Sequence, residues 1–191
     1  MSARERILDA AADIMRRHGG AGATTKEIAK AAGYSEALLY KHFRDKEELL
    51  LSVLKERMPP STSMGVPGEG TVESNLVAIV HGGLRFYRRA FPLMASMVAQ
   101  PRLLTATRDS LRKYGAGPRA PVLALARYLD AERGLGRVAA GADTAAVAAL
   151  LMGACFQQGF LHYFEEGDEG PDLPESVARD LVRPVLAELL P

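Results

Sequence analysis

Apolar residues return every three or four positions along most of the chain, the spacing of one buried helical face. Over residues 3–18 the stripe is Ile7, Leu8, Ala11 and Ile14 or Met15, with Arg6, Asp9, Asp13 and Arg17 on the solvated side. Ile28, Ala29 and Ala32 form a second, shorter stripe, Leu39 and Phe43 a third, and Leu49, Leu50, Val53 and Leu54 a fourth that Pro59-Pro60 must end near Met58. A long helix is predicted over residues 71–90, with Leu76, Val77, Ile79, Val80 and Leu84 inside. Pro92, Pro101 and Pro121 each open a further helix, since a first turn tolerates proline. The most apolar helix spans 144–164, and the last, 175–190, repeats Val177, Leu181, Val185 and Leu189. The pattern therefore predicts an all-α chain of about nine helices.

Polar punctuation sharpens the amino-terminal part. Thr24 and Thr25 can cap the helix of Ile28, Gly33 can close it in a left-handed turn, and Ser35 can cap the next helix of about two turns. Such a pair around a tight turn is a helix-turn-helix. Asp45 with Glu48 three residues on reads as a capping box opening a connecting helix over 45–58. Residues 59–70, rich in Pro, Ser and Gly, read as a mobile loop or linker. Residues 1–46 are thus expected to form a helix-turn-helix domain, and 59–191 a larger helical domain.

Composition narrows the class. With 48% hydrophobic residues, 6% aromatics and no tryptophan in 191 residues, the chain can bury a core and favours helices. The net charge is only +1, and residues 1–58 carry 11 Lys and Arg against 9 Asp and Glu. Any nucleic-acid contact must rest on where individual cations project, not on bulk attraction. The single cysteine, Cys155, lies amid apolar residues and reads as a packed small hydrophobe. Asp9 and Asp13 interrupt any leader-like apolar core, and the run from Ala145 to Phe156 falls short of the roughly 20 residues that span a bilayer. A cytoplasmic protein with no membrane contact is expected. Four scattered histidines show no metal-ligand spacing, and there is no phosphate-cradling glycine loop or nucleophile elbow. Neither an enzyme, a metal nor a cofactor is expected.

Several short motifs occur together in order: Ile-Leu-Asp-Ala-Ala-Ala from Ile7, Gly19 or Gly20 ending the first helix, Thr24-Thr25, Ile28-Ala29, Ala32-Gly33-Tyr34-Ser35, Leu39 to Phe43, and Lys46 to Leu50. In this order the segment from about Arg4 to Lys55 resembles the DNA-binding domain of TetR-family transcriptional regulators. The resemblance is detailed over the first third and general beyond it. It implies a repressor-like dimer on a near-palindromic double-stranded DNA operator. Thr25, Lys26, Tyr40, His42 and Lys46 match backbone-contacting positions, and Arg4 and Arg6 are further candidates.

Base reading falls to the front of the recognition helix. Lys41 can donate to guanine, Glu36 can accept from a cytosine amino group, Ala37 can meet a thymine methyl, and Ser35 is either a base contact or only a cap. The resemblance further implies a homodimer through the last two long helices and a small-molecule effector in the larger domain. Candidate pocket groups are His81, Arg85, Met94, Met97, Phe156, Gln157, Phe160 and Tyr163, apolar walls with a few polar groups. Arg85, Arg88 and Arg89 also read as a solvated edge. A rival reading is a DNA-binding dimer controlled by a protein partner, or unregulated.

Overall fold

The computed structural model describes residues 1–57, 64–113, 117–167 and 170–191, apart from the side chains at 16–22, 54, 55, 102, 103, 106, 110, 112 and 113. The Pro59-Pro60 stop and the side chains of Arg17 and Leu54 lie outside that description. Among the described residues there are nine helices and no strand: α1 (Ala3–Gly22), α2 (Thr25–Ala31), α3 (Glu36–His42), α4 (Lys46–Glu56), α5 (Val72–Val98), α6 (Pro101–Lys113), α7 (Ala120–Gly134), α8 (Thr144–Glu166) and α9 (Glu175–Leu189). They form two compact units. One holds residues 1–57 and 89–113, the other residues 64–88 and 117–191.

Two helix boundaries differ from expectation. α1 continues past His18 through Gly19 and Gly20 to Gly22, because glycine weakens a helix by about 1 kcal/mol per residue without forbidding it. α5 runs unbroken from Val72 to Val98 with Pro92 inside it, where a separate helix was expected to begin. Proline withholds one rung of the ladder, the one owed to the Arg88 carbonyl. Burial of Ala90, Leu93 and Met97 on either side offsets that loss.

In the first unit, Ile7, Leu8, Ala11 and Met15 of α1 pack with Ile28, Ala29, Leu39, Phe43, Leu49, Leu50 and Val53, all buried. Two ion pairs tie the ends of α1 to α4: Arg4 grips Glu56 through two bonds of 2.8 and 2.6 Å, and Arg57 reaches Asp9 at 2.6 Å. The Arg4 guanidinium also lies 5.4 Å from the Phe43 ring centre, so it braces the end of α3.

In the second unit, α8 packs on α7, α9 and the first part of α5. By length and composition α8 could cross a bilayer; one side of it, Val147, Ala148, Leu151, Met152 and Cys155, is buried within the chain, and the other side is exposed. Gly159 lets α5 approach closely: a Cβ there would sit 2.8 Å from the Arg88 amide nitrogen. Cys155 fills the space beside Gly83, its Sγ 3.5 Å from the Val80 carbonyl oxygen, and burial pushes its thiol up to about 12. At neutral pH the native protein should therefore leave an aromatic disulfide reagent unreacted over minutes, while guanidinium-unfolded protein should release one equivalent per chain. Prompt reaction of the folded protein would contradict the packing.

Two polar clusters hold loops to this unit. Glu132 is 0% exposed; it accepts from the Tyr128 hydroxyl at 2.7 Å and the Gly68 amide at 3.4 Å, and pairs with Arg137 at 3.1 Å. Asn75 donates to Tyr128 and to the Glu69 carbonyl, and Arg137 donates to the Gly70 carbonyl. Burial, helped by the Glu132 carboxylate, raises the Tyr128 phenol to about 12. Residues 68–70, within the segment expected to be mobile, are thus fastened to α7.

The second cluster corrects the arginine edge. Arg88 is only 6% exposed, donates to the Gly170 carbonyl and pairs with Asp172 at 3.4 Å. It lies on the buried stripe one turn after Leu84, and the segment after α8 folds over it.

Candidate nucleic-acid interface

The geometry of α2 and α3 follows from local chemistry. Thr24 caps α2 by accepting from the Glu27 amide at 3.1 Å, while the Glu27 carboxylate accepts from the Thr24 amide at 3.1 Å, a complete capping box. Gly33 takes φ 78°, a conformation open to glycine, and the Gly33 and Tyr34 amides close the helix end on the Lys30 and Ala29 carbonyls. Ser35 then caps α3 through the Leu38 amide at 3.3 Å. Each cap fixes where a helix starts or ends, so the join between α2 and α3 is set by Thr24, Gly33 and Ser35.

Burial of Leu39 and Phe43 turns the opposite side of α3 outward. Ser35, Ala37, Tyr40, Lys41 and His42 are exposed there, as is Lys26 on α2, while Thr25, Glu36 and Lys46 are half-buried. Asp45 caps α4 from the Glu48 amide at 2.7 Å, but the Glu48 carboxylate takes the Arg44 amide instead of returning to Asp45. Lys46 therefore sits at the first position of a capped helix beside the end of α3. Of the two further arginine candidates, Arg4 is committed to Glu56.

One contact was not evident in the sequence. Thr25 donates to the Glu36 carboxylate at 2.5 Å, and its oxygen lies 3.2 Å from the Tyr40 hydroxyl. These residues are eleven and fifteen positions apart, so only the turn at Gly33 brings them together. The four-residue spacing of Glu36 and Tyr40 on α3 is the one signal the sequence carried.

The pocket candidates divide between the two units. In the first, Met97 is buried with its sulfur accepting from Thr107 at 3.7 Å, and Met94 is half-buried. In the second, His81 reaches the Leu173 carbonyl at 3.1 Å and Arg85 pairs with Asp172 at 3.4 Å, so both engage the segment leading into α9. Phe156 packs edge-on against Tyr87, with ring centres 5.6 Å apart, and Phe160 leans on Phe164. Gln157 is exposed and Tyr163 half-buried. Among the described residues no group of three His, Cys, Asp or Glu side chains could hold a metal ion.

Comparison with known proteins agrees with this arrangement. Residues 7–53 match the model of bacterial regulatory proteins of the tetR family. The HTH-type transcriptional regulator YvkB of Bacillus subtilis is 35% identical over 75 residues, which is 39% of this chain and 40% of YvkB. The chain thus spans about two fifths of the length of this curated relative. Over nearly the full length, the fold is similar to SmeT in complex with triclosan, at TM-score 0.70, 25% identity and coverage of 100% and 93%. SmeT is described as the repressor of a Stenotrophomonas maltophilia multidrug efflux pump. The fold is also similar to FadR of Bacillus subtilis in complex with stearoyl-CoA, at TM-score 0.68, 18% identity and coverage of 96% and 98%. Residues 7–53 thus form a tetR-type regulatory domain built on a capped helix-turn-helix, within an all-α chain whose fold is that of TetR-like transcriptional regulators.

Proposed function

We propose that the chain is a repressor that binds a near-palindromic operator as a homodimer in the cytoplasm and is released by a small molecule. The observation that carries this reading is the exposed front of α3, held at a fixed angle by the caps at Thr24, Gly33 and Ser35. A helix so presented enters the major groove. Ser35, Glu36, Ala37 and Lys41 would meet base edges, while Thr25, Lys26, Tyr40, His42 and Lys46 would hold phosphates.

One such helix reads only a few base pairs, so useful specificity needs two copies with reading heads about 34–36 Å apart or somewhat more. The outer face of α8 supports that pairing. Leu150, Phe160, Leu161 and Phe164 are exposed along one side at helical spacing, Phe164 by 78%. An apolar stripe of this kind marks an interface. α8 and α9 would then form the dimer contact.

The triclosan bound to SmeT and the acyl chain of the stearoyl-CoA bound to FadR support an effector with a substantial apolar part, acting by shifting the population toward an arrangement that fits DNA less well. Selection of retained duplexes from a random pool, followed by thermal-shift screening of apolar small molecules, tests both halves. A true effector stabilises the free protein and releases the selected duplex. Lys46→Ala should weaken every duplex alike and lower the salt slope by about 1. A Lys46→Ala protein that binds all duplexes like the parent would remove Lys46 from the interface.

A further inference from the structure

Two hydroxyls on the outward side of the helix-turn-helix are already engaged within the protein. Thr25 has a single hydroxyl proton, and at 2.5 Å it is given to Glu36, since a carboxylate accepts and does not donate. The 3.2 Å contact between Thr25 and Tyr40 must then run the other way, with the phenol donating to the threonine oxygen. The protons form one chain, from Tyr40 to Thr25 to Glu36. Thr25 cannot donate to a phosphate while Glu36 holds its proton, and Tyr40 can do so only by giving up its bond to Thr25.

We propose that Glu36 is the specificity-determining residue of the interface, an internal anion that holds the phosphate-binding hydroxyl of Thr25, on which Tyr40 leans, until a matching base edge takes the carboxylate away. The inference rests on the DNA-binding reading given above. A carboxylate and a phosphate compete for the same donors. On a non-matching duplex Glu36 keeps Thr25, that hydroxyl stays closed to the backbone, and an anion faces the phosphates without compensation. On a matching duplex the carboxylate accepts from a cytosine amino group, and the Thr25 hydroxyl is freed to join Tyr40 on the backbone. Base recognition and backbone grip are thereby coupled in one residue. Discrimination comes as much from penalising wrong sequences as from rewarding the right one.

The test uses the full-length protein, the duplex retained from the random pool and a scrambled duplex of equal length, at one salt concentration. Glu36→Gln and Glu36→Ala should bind the scrambled duplex several-fold more tightly, and the ratio of selected to scrambled affinity should fall by about tenfold, the scale of one base contact. Glu47→Gln removes the same charge from the first turn of α4 and should leave the ratio where it was. Circular dichroism of each variant reports folding. A ratio unmoved in both folded Glu36 variants, or moved equally by Glu47→Gln, overturns the inference and leaves the DNA-binding reading standing. A parent protein that retains no duplex from the pool overturns that reading and the inference with it.

Discussion

Glu132→Leu should lower the melting temperature by roughly 6–20 °C, from a loss of about 3–5 kcal/mol when a buried ion pair is broken and a chain of this length loses about 2–4 °C per kcal/mol. The Glu132 carboxylate is fully buried and accepts from the Tyr128 hydroxyl and the Gly68 amide while pairing with Arg137. Without it, the Gly68 amide and the Arg137 guanidinium lose their common acceptor in a low-dielectric setting. Glu132→Gln keeps the shape and one acceptor and should lose about 1–2 kcal/mol, the range of a weakened charged hydrogen bond. Combining Glu132→Leu with Tyr128→Phe and Arg137→Leu removes the orphaned side-chain donors, leaving the Gly68 amide, and should recover part of the loss. Thermal melts of the four proteins separate these cases; a Glu132→Leu protein melting with the parent would mean that the cluster adds nothing to stability.

Gly159→Leu should be at least as damaging, and for a steric reason. A Cβ at Gly159 would lie 2.8 Å from the Arg88 amide nitrogen, 2.9 Å from Tyr87 Cβ and 3.0 Å from the Tyr87 carbonyl carbon. Two of these atoms belong to backbone in mid-helix, so they cannot rotate away. Even Gly159→Ala should lose about 1–3 kcal/mol to overpacking, more than the roughly 1 kcal/mol of helix propensity that alanine gains. The longer side chain forces α5 and α8 apart. Gly82→Ala makes the contrast: nothing lies within 4 Å of a Cβ there, so it should stabilise by about 0.5–1 kcal/mol. Equal effects at the two glycines in urea titrations would show that helix propensity, not close approach, governs both sites.

What could be read from the sequence was mostly what short-range chemistry decides. The caps at Thr24, Ser35 and Asp45 and the turn at Gly33 each depend on a few adjacent residues, and each is found where local rules place it. Pro92 was misleading because the same residue suits a first helical turn and can be tolerated inside a helix, and buried neighbours decide between the two. Glu132 and Arg88 were hidden because charged residues are ordinarily read as solvated. The signal was present all the same. Leu125, Tyr128, Leu129 and Glu132 occupy one helical stripe, as do Leu84 and Arg88, and a charge continuing an apolar stripe is a candidate for burial with a partner. The Thr25, Glu36 and Tyr40 chain needed the turn angle, which no pattern of spacing supplies.

The packing of Cys155 also has a practical side. Because the only thiol in the chain is enclosed and held in its protonated form, the protein carries a silent background for chemical labelling. A cysteine placed at an exposed position such as Ser176 on α9 would be the sole addressable thiol. Spin or fluorescent probes could then be attached once per chain and distances followed between copies, with the native side chain left to fill its place beside Gly83.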